Sequence, residues 1–266
     1  MGGEFEAESE ERTLRRLGVL MSRKEIVPER LPGRVAVVID VFMATTTLLT
    51  ILENGARRVF PVGSLQEGEE VYARVGPEAL RGGEQGAERV EGYDFGPLPE
   101  EYSPEKVAGR DVVFLTTNGT RAISEVAAAD IVLVSCLRNA PATARYLESS
   151  GAEAVYLVCA GSGGRFDLED FLGASAIVSR LGVEEWNLND AAILAREWAG
   201  RLEDPVEVLA RSRAGRWFVE HDRIETLRFA ADVGASEAVL EVRDGTLRRV
   251  EELGGGSRAA EDEQGV

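Results

Sequence analysis

The segment VCAGSGGRFDLEDF offers two kinds of phosphate chemistry within one short stretch. Cys159 and Arg165 are separated by five residues, the spacing of a cysteine-dependent phosphatase loop, in which a thiolate attacks phosphorus. Asp167, Glu169 and Asp170 follow directly, and such carboxylates bind Mg²⁺ together with phosphate oxygens and water. Because their negative charge disfavours a thiolate, the segment favours a metal site and leaves a cysteine nucleophile as the alternative.

A second candidate anion site is the motif TTNGTRA, which follows the apolar run DVVFL. Its hydroxyl groups donate hydrogen bonds, its glycine lets the backbone approach an anion, and its arginine is a bidentate donor for phosphate. Simple capping of the next helix by Asn118 or Thr120 is the other interpretation. The predicted phosphate-binding residues of this motif are Thr116, Thr117, Asn118, Gly119, Thr120 and Arg121.

Polar residues also follow three other apolar runs. Asp40 and Thr45 come after RVAVVI, Arg138 and Asn139 come after IVLVS, and Gly161 comes after AVYLVC. Asn139 is explained equally well as a helix cap, which leaves Arg138 available for an anionic ligand. Since ligands of open α/β sheets bind beyond the carboxyl ends of the strands, the sequence predicts that these residues converge on one edge.

Glu84 stands between glycines in the motif GGEQG, within an acidic stretch at 82–96 that we interpret as a loop. A solvated loop is the ordinary meaning of this composition, but long ordered loops are often functional. Glu84 is therefore included among the candidate metal ligands.

Short apolar runs alternate with helical periodicity, which predicts an α/β fold with layers α/β/α and a largely parallel or mixed sheet. Two lobes, with the site in the cleft at the strand ends, are the variant of this fold that we consider. Predicted strands lie at 34–40, 57–62, 111–117, 130–136 and 154–160, and a hairpin at 237–251. Predicted helices lie at 44–55, 64–76, 120–129, 139–150, 168–182 and 189–202. We expect a flexible leader at 1–30, the phosphatase-like domain at 31–252 and a disordered acidic tail at 253–266.

Composition restricts the partners. The chain has 266 residues and a formal net charge of -17, which argues against nucleic acid or an anionic membrane as a partner. An acidic amino terminus, two cysteines within apolar runs and the absence of a long apolar run favour a cytoplasmic protein. His221 is the only histidine, which excludes a His-rich zinc site and a histidine phosphatase.

Five motifs, in order, resemble the 2-phosphosulfolactate phosphatase family: DVFMATTTLLTILENGA, GGEQG, TTNGTRA, RNAPATARYL and VCAGSGGRFDLEDFLGA. The resemblance covers roughly residues 35–250. It implies an α/β fold peculiar to the family and Mg²⁺-dependent hydrolysis of 2-phospho-3-sulfolactate to 3-sulfolactate, a step towards coenzyme M. The chain departs from the family pattern at Met43, where an arginine is usual, at GPLP (96–99) and at Ser175. These departures affect expected substrate contacts more than carboxylates.

The sequence therefore predicts a Mg²⁺-dependent phosphatase acting on a small, multiply anionic phosphoester, with a homodimer as the assembly considered. Asp40, Glu169 and Asp170 are the predicted catalytic residues, and with Glu84 they are the predicted metal ligands. The predicted substrate-binding residues are Thr45, Thr116, Thr117, Asn118, Gly119, Thr120, Arg121, Arg138, Asn139, Gly161 and Arg165. Attack by water and an Asp40 phosphoenzyme both remain open, as do two alternatives: a metal-free phosphatase using Cys159 and Arg165, and a non-catalytic anion-binding domain.

Overall fold

A computed structural model describes residues 14–250. Within them, the strands are β1 (Arg15–Leu20), β2 (Val35–Ile39), β3 (Arg58–Val62), β4 (Leu80–Gln85), β5 (Glu88–Arg89), β6 (Asp111–Leu115), β7 (Ile131–Ser135), β8 (Ala154–Cys159), β9 (Trp186–Leu188), β10 (Leu240–Arg243) and β11 (Thr246–Arg249). The α-helices are α1 (Ala44–Glu53), α2 (Leu65–Val75), α3 (Pro104–Val107), α4 (Gly119–Glu125), α5 (Ala140–Ser149), α6 (Leu168–Val178), α7 (Asp190–Glu197), α8 (Pro205–Arg211), α9 (Arg213–Glu220) and α10 (Ile224–Ala231).

The strands form one mixed sheet in the order β5-β4-β6-β3-β11-β10-β7-β2-β8-β1-β9. Two parallel groups, β4-β6-β3 and β7-β2-β8-β1-β9, lie on either side of the antiparallel hairpin β10-β11. The hairpin is antiparallel to β3 on one side and to β7 on the other. The strands of the two groups therefore run in opposite directions along the sheet.

The carboxyl ends of β6 and β2 nevertheless meet, as Gly119 and Asp40 show. A Cβ added to Gly119, which lies after β6, would be 2.6 Å from Oδ2 of Asp40, which lies after β2. Sheet twist explains how. Five steps separate β6 from β2 in the strand order, and roughly 20–25° of twist per step turns one group by roughly 100–125° relative to the other. Helices α1 and α4 fill the concave side of this curved sheet, since both contact β3 in one group and a strand of the other.

Three buried apolar clusters hold the layers together. One lies between the β7-β2-β8-β1 face and helices α5, α6 and α7. The second lies on the concave side, around α1 and α4. The third packs α2 against the outer face of β3 and β6. This arrangement confirms the predicted layered α/β fold and explains why β2, with all five residues buried, reads as an uninterrupted Val/Ile run.

The predicted positions of five strands, six helices and the hairpin are confirmed, with shifts of a few residues at their ends. Two interpretations were wrong. Strand β1 lies inside the segment expected to be a flexible leader, where Leu17 and Val19 are buried and the Arg15 guanidinium lies 3.8 Å from the Trp186 ring. Strand β4 includes all but the last residue of GGEQG, which the sequence predicted to be a loop. Residues 1–13 and the expected tail at 253–266 lie outside the described residues. No helix between residues 14 and 250 is long and apolar enough to cross a membrane.

Candidate active site

Asp170 connects the backbone segments that follow two neighbouring strands, β2, which is followed by Asp40, and β8. The register aligns Ile39 of β2 with Cys159 of β8, so both strands end at the same level. Asp170, on the first turn of α6, accepts the Val41 N–H at 2.9 Å and the Gly161 N–H at 2.9 Å. Each carboxylate oxygen of Asp170 thus holds the backbone that follows one strand.

Asp40 follows β2 directly and is 7% exposed. Its Oδ1 accepts the Ala44 N–H at 3.3 Å, while Thr45 Oγ1 donates to the Asp40 carbonyl at 2.7 Å and accepts the Asp40 N–H at 3.0 Å. Thr45 therefore fixes the backbone at Asp40, and its fully buried hydroxyl group is occupied by this role.

Gly119 brings the TTNGTRA motif against Asp40. A Cβ at this position would lie 2.3 Å from the Ala44 Cβ and 2.6 Å from Asp40 Oδ2, distances that real side chains do not tolerate. Thr116 and Thr120 bond to each other across the start of α4, through Thr120 N–H to Thr116 Oγ1 at 3.1 Å and Thr116 N–H to Thr120 Oγ1 at 2.9 Å. The predicted capping by the side chain of Asn118 or Thr120 was wrong, because the hydroxyl group that accepts an N–H at the start of α4 is that of Thr116.

Glu84 reaches the same edge from β4. Its Oε1 accepts the Thr117 N–H at 2.6 Å, and its Oε2 accepts the Thr117 hydroxyl group at 2.8 Å and the Ala87 N–H at 2.6 Å. Asn118 completes the connection, because its Oδ1 accepts the Gly163 N–H at 3.1 Å. The motifs GGEQG, TTNGTRA and VCAGSGGRFDLEDF therefore meet. The strand ends predicted this for TTNGTRA and VCAGSGGRFDLEDF, whereas GGEQG follows no predicted strand.

Glu169 is the carboxylate at this edge that receives the least hydrogen bonding. It is 2% exposed, and its Oε2 is buried without a hydrogen-bond partner among the described residues. A buried charged oxygen without a donor is costly unless it is protonated or binds a ligand. Glu169 Oε2 is therefore an acceptor that the fold leaves free for a ligand.

Asp167 links this site to helix α9. Ser162 donates to Asp167 Oδ2, and Arg213 Nη2 donates to Asp167 Oδ1 at 2.7 Å. Ser212, the N-cap of α9, lowers the pKa of Glu169 by hydrogen bonding. Sequence reasoning missed Ser212 and Arg213. The only signal is the capping serine before a helical stretch, and nothing in the sequence shows that α9 returns to α6.

The carboxyl groups at this edge resist ionisation. The pKa of Asp40 is raised to about 7, chiefly by burial and also by the charges of Glu84, Asp167 and Glu169, while the hydrogen bond from the Ala44 N–H acts in the opposite direction. Burial likewise raises the pKa of Glu169 to about 7. Burial and the charges of Asp40 and Glu169 raise the pKa of Asp170 well above its usual range. Mutual repulsion in a buried site is what a bound cation would relieve.

The other predicted substrate-binding residues have partners elsewhere or none. Arg121 pairs with Glu125 at 3.0 Å. Arg138 stacks on the Phe229 ring at 3.8 Å and donates to the Phe229 carbonyl at 2.9 Å. Asn139 is fully buried and bonds to the Cys136 N–H and to the carbonyls of Val134 and Ala238. Arg165 is exposed in the turn after β8 and has no side-chain partner among the described residues. Substrate binding by these residues stays a prediction.

Cys159 and Met43 are both buried. Cys159 belongs to β8, is fully buried, and burial with the charge of Asp170 raises the pKa of its thiol well above the usual range. A thiol in this state is a poor nucleophile, so the structure does not support the cysteine-dependent alternative. Met43 is 8% exposed and packs in the apolar cluster beside α6.

The donor set fits a Mg²⁺ ion that is completed by water and substrate. Within residues 14–250, no group of three or more Asp, Glu, His or Cys side chains is placed to hold a metal ion. Mg²⁺ commonly takes only one or two protein carboxylates, with water and phosphate oxygens as the other ligands. Asp40 and the unpartnered Oε2 of Glu169 are oxygen donors of this kind.

The fold and this edge define an α/β protein with a buried carboxylate site at the carboxyl ends of β2, β6 and β8, suited to a cation and an anionic ligand. A family model described as 2-phosphosulpholactate phosphatase matches residues 20–245, and the chain belongs to this family. This confirms the resemblance of the motifs.

Curated relatives agree with the family assignment. A "Probable 2-phosphosulfolactate phosphatase" of Clostridium perfringens (strain SM101 / Type A) is 35% identical over 240 residues, covering 89% of this chain and 97% of the relative. A protein of the same name from Symbiobacterium thermophilum is 41% identical over 214 residues, covering 77% and 90%. Another from Thermotoga maritima is 41% identical over 178 residues, covering 67% and 75%.

Proposed function

We propose that this protein is a Mg²⁺-dependent phosphatase that hydrolyses 2-phospho-3-sulfolactate to 3-sulfolactate and inorganic phosphate. Family membership and the names of the relatives support the substrate and the reaction. The single observation that supports the metal is the unpartnered, buried Oε2 of Glu169 beside carboxyl groups whose pKa values are raised.

Asp40 and Glu169 would hold the ion, with Asp170 and Glu84 around them. When bound, Mg²⁺ supplies positive charge that offsets the charge of the phosphoryl oxygens and makes a neighbouring water more acidic. The chain's own residues do the positioning. Asp170 fixes the backbone after β2 and β8, and Gly119 lets the start of α4 approach Asp40.

Hydrolysis breaks the bond between phosphorus and the ester oxygen, forms a bond from phosphorus to a water oxygen, and moves a proton from that water to the leaving oxygen. In the metal-free protein the pKa of Asp40 is raised to about 7, and a bound cation would lower it, so that Asp40 would hold the ion as a carboxylate. Glu84 accepts two hydrogen bonds from Thr117 and so fixes the position of the TTNGTRA motif.

The test is phosphate release from 2-phospho-3-sulfolactate by the full-length protein after exhaustive chelation, and again after Mg²⁺ is added. We expect no activity without metal and full recovery with Mg²⁺. Full activity after chelation would contradict metal dependence. Binding of the substrate without phosphate release in the presence of Mg²⁺ would favour the non-catalytic anion-binding domain instead.

A further inference from the structure

The proposed substrate carries two anionic groups besides its phosphate, a carboxylate and a sulfonate, and the site needs a cation for at least one of them. Arg121, which the sequence suggested for the phosphate, is paired with Glu125. Of the two arginines suggested for the distal groups, Arg138 is stacked on Phe229 and bonded to a backbone carbonyl, and Arg165 is exposed with no side-chain partner among the described residues to orient it. A cation that is oriented before the substrate binds therefore has to come from another element.

Arg213 borders the carboxylate site from helix α9. Its Nη2 donates to Asp167 Oδ1 at 2.7 Å, and Asp167 itself is held by Ser162 of the glycine-rich turn after β8. The charge of Arg213 also acts on Glu169, whose pKa it lowers. The ion pair with Asp167 thus links the Arg213 guanidinium to the glycine-rich turn and to the start of α6.

Arg213 is both oriented and available. Its side chain is 52% exposed, while its partner Asp167 is 7% exposed, so the buried carboxylate fixes one side of the guanidinium and leaves the other side open. One of its N–H groups is used by Asp167, and the remaining donors suit a carboxylate or sulfonate. A cation held in place before binding loses less conformational entropy than a free one such as Arg165.

The corner that presents Arg213 is tightly built. Ser212 Oγ accepts the Gly215 N–H at 2.9 Å, and a Cβ at Gly215 would lie 1.7 Å from the Leu209 carbonyl oxygen. The turn between α8 and α9 therefore requires glycine at this position, and it fixes where the first residue of α9 projects.

We propose that Arg213 is the specificity-determining cation of this site and binds the sulfonate or carboxylate of the substrate, with Asp167 as its positioning residue. This inference rests on the proposed function. It assigns the recognition of the distal anion to α9, outside every motif that carries the family resemblance.

Three substrates separate the contacts. 2-Phospho-3-sulfolactate has both groups, 2-phospholactate lacks the sulfonate, and 2-phosphooxyethanesulfonate lacks the carboxylate. With Mg²⁺ present, we expect Arg213→Gln to lower kcat/KM for the full substrate by about 10- to 100-fold, the range for loss of a charge-assisted hydrogen bond. The loss should extend to one truncated substrate and spare the other, which identifies the group that is bound. Arg213→Lys, which keeps the charge, should lose less.

Arg57→Gln is the matched control. Arg57 Nη2 lies 2.6 Å from Asp111 Oδ2, with side-chain exposures of 60% and 1%, so this pair resembles the Arg213–Asp167 pair but lies away from the carboxylate site. Its kcat/KM should match that of the wild type for all three substrates. Equal losses for all three substrates in Arg213→Gln, or no loss at all, would overturn the inference and leave Arg213 a structural residue.

Calorimetry separates failure of this inference from failure of the proposed function. If the wild type releases phosphate from none of the three compounds, the proposed function is wrong, but binding of 3-sulfolactate to wild type and Arg213→Gln still tests the contact. We expect at least tenfold weaker binding by the variant. Equal affinity for the two proteins would overturn the role of Arg213 even in an inactive protein.

Discussion

Buried carboxyl groups lie at both ends of strand β6, and their surroundings shift their pKa values in opposite directions. At the amino end, Asp111 is 2% exposed and accepts hydrogen bonds from both Arg57 and Arg58. These bonds hold the pKa of Asp111 well below its usual range. At the carboxyl end, Asp40 is 7% exposed, accepts no hydrogen bond from an arginine within residues 14–250, and has a pKa of about 7.

The difference separates a stabilising carboxylate from one that is held for a ligand. Asp111 is ionised and paired, so its charge strengthens the native state. Asp40, Glu169 and Asp170 are buried near one another, so their ionisation weakens the native state until a cation binds. Neutralising Asp40 should therefore lower activity without lowering stability, whereas neutralising Asp111 should lower stability without lowering activity. The following predictions test this contrast.

The largest effect should come from Asp40→Asn. Loss of this carboxylate should lower kcat by on the order of 1,000-fold, because the cation that would offset the charge of the phosphoryl oxygens loses one of its ligands. The metal-free variant should nevertheless melt at the same temperature as the wild type or higher, because a repelled buried charge is gone. Steady-state kinetics and thermal melts in chelator check both parts, and a lower melting temperature would break the comparison.

Gly119→Ala should lower kcat by roughly 100-fold, because the added Cβ collides with Ala44 and Asp40 and displaces the start of α4. Gly200→Ala is the control, since a Cβ there meets no atom within 4 Å. The kinetics of the two variants should differ sharply. Unchanged kinetics in Gly119→Ala would mean that the contact with Asp40 is not needed for activity.

The metal-free protein should become less stable as the pH rises from 5.5 to 8. Asp40 and Glu169 have folded pKa values of about 7, above the values of the unfolded chain, so the folded state binds more protons in this range and stability is lost as the pH passes 7. We expect a decrease of about 2–4 kcal/mol in the free energy of unfolding. Melts in chelator measure it, Asp40→Asn should flatten the slope, and a rise with pH would contradict it.

Asp111→Asn should destabilise the protein by about 2 kcal/mol at pH 7, the scale of a hydrogen bond to a charged group. Its melting temperature should fall by roughly 4–8 °C. Because the folded pKa of Asp111 is depressed, this difference should shrink as the pH falls below about 4. The kinetics should stay close to those of the wild type, and a large loss of kcat would show that the two ends of β6 are coupled.

The smallest effect should come from Cys159→Ala, despite its position under the carboxylate site. The thiol is fully buried and its pKa is raised, so kcat should stay within about threefold of the wild type. A loss of several orders of magnitude, or a phosphocysteine trapped during turnover, would restore the cysteine nucleophile.

GGEQG follows no strand-like run, but the meeting of the other site motifs could be predicted from the sequence, because each of them follows a Val/Ile/Leu run whose strand character is strong and whose carboxyl end is where ligands bind. Asp40, Gly119, Gly161 and Asp170 were found in this way. A cap at the start of α4 was predicted from the strand-to-helix junction, but it was assigned to Asn118 or Thr120 and not to Thr116, whose hydroxyl group accepts the Thr120 N–H.

Contacts between distant segments could not be predicted. Arg213 reaches Asp167 across 46 positions, and no local pattern records that contact. Strand β1 is short, carries two arginines and a glycine, and becomes a strand only because β8 and β9 flank it. Helix α8 was missed although its start was readable, with Asp204 as the N-cap and Pro205 at the first helical position.

The curved sheet has a consequence for the order of assembly during synthesis. The hairpin that joins the two strand groups is made of residues 240–249. Until these residues have been translated, β3 and β7 each have one edge without a partner strand. Strand β1 also waits for a distant partner, because its neighbour β8 begins at Ala154. Pairings of such long sequence separation form slowly. A ribosome-bound chain that stops before residue 240 should therefore expose two open strand edges to chaperones, and the closing hairpin should protect both in a single late step.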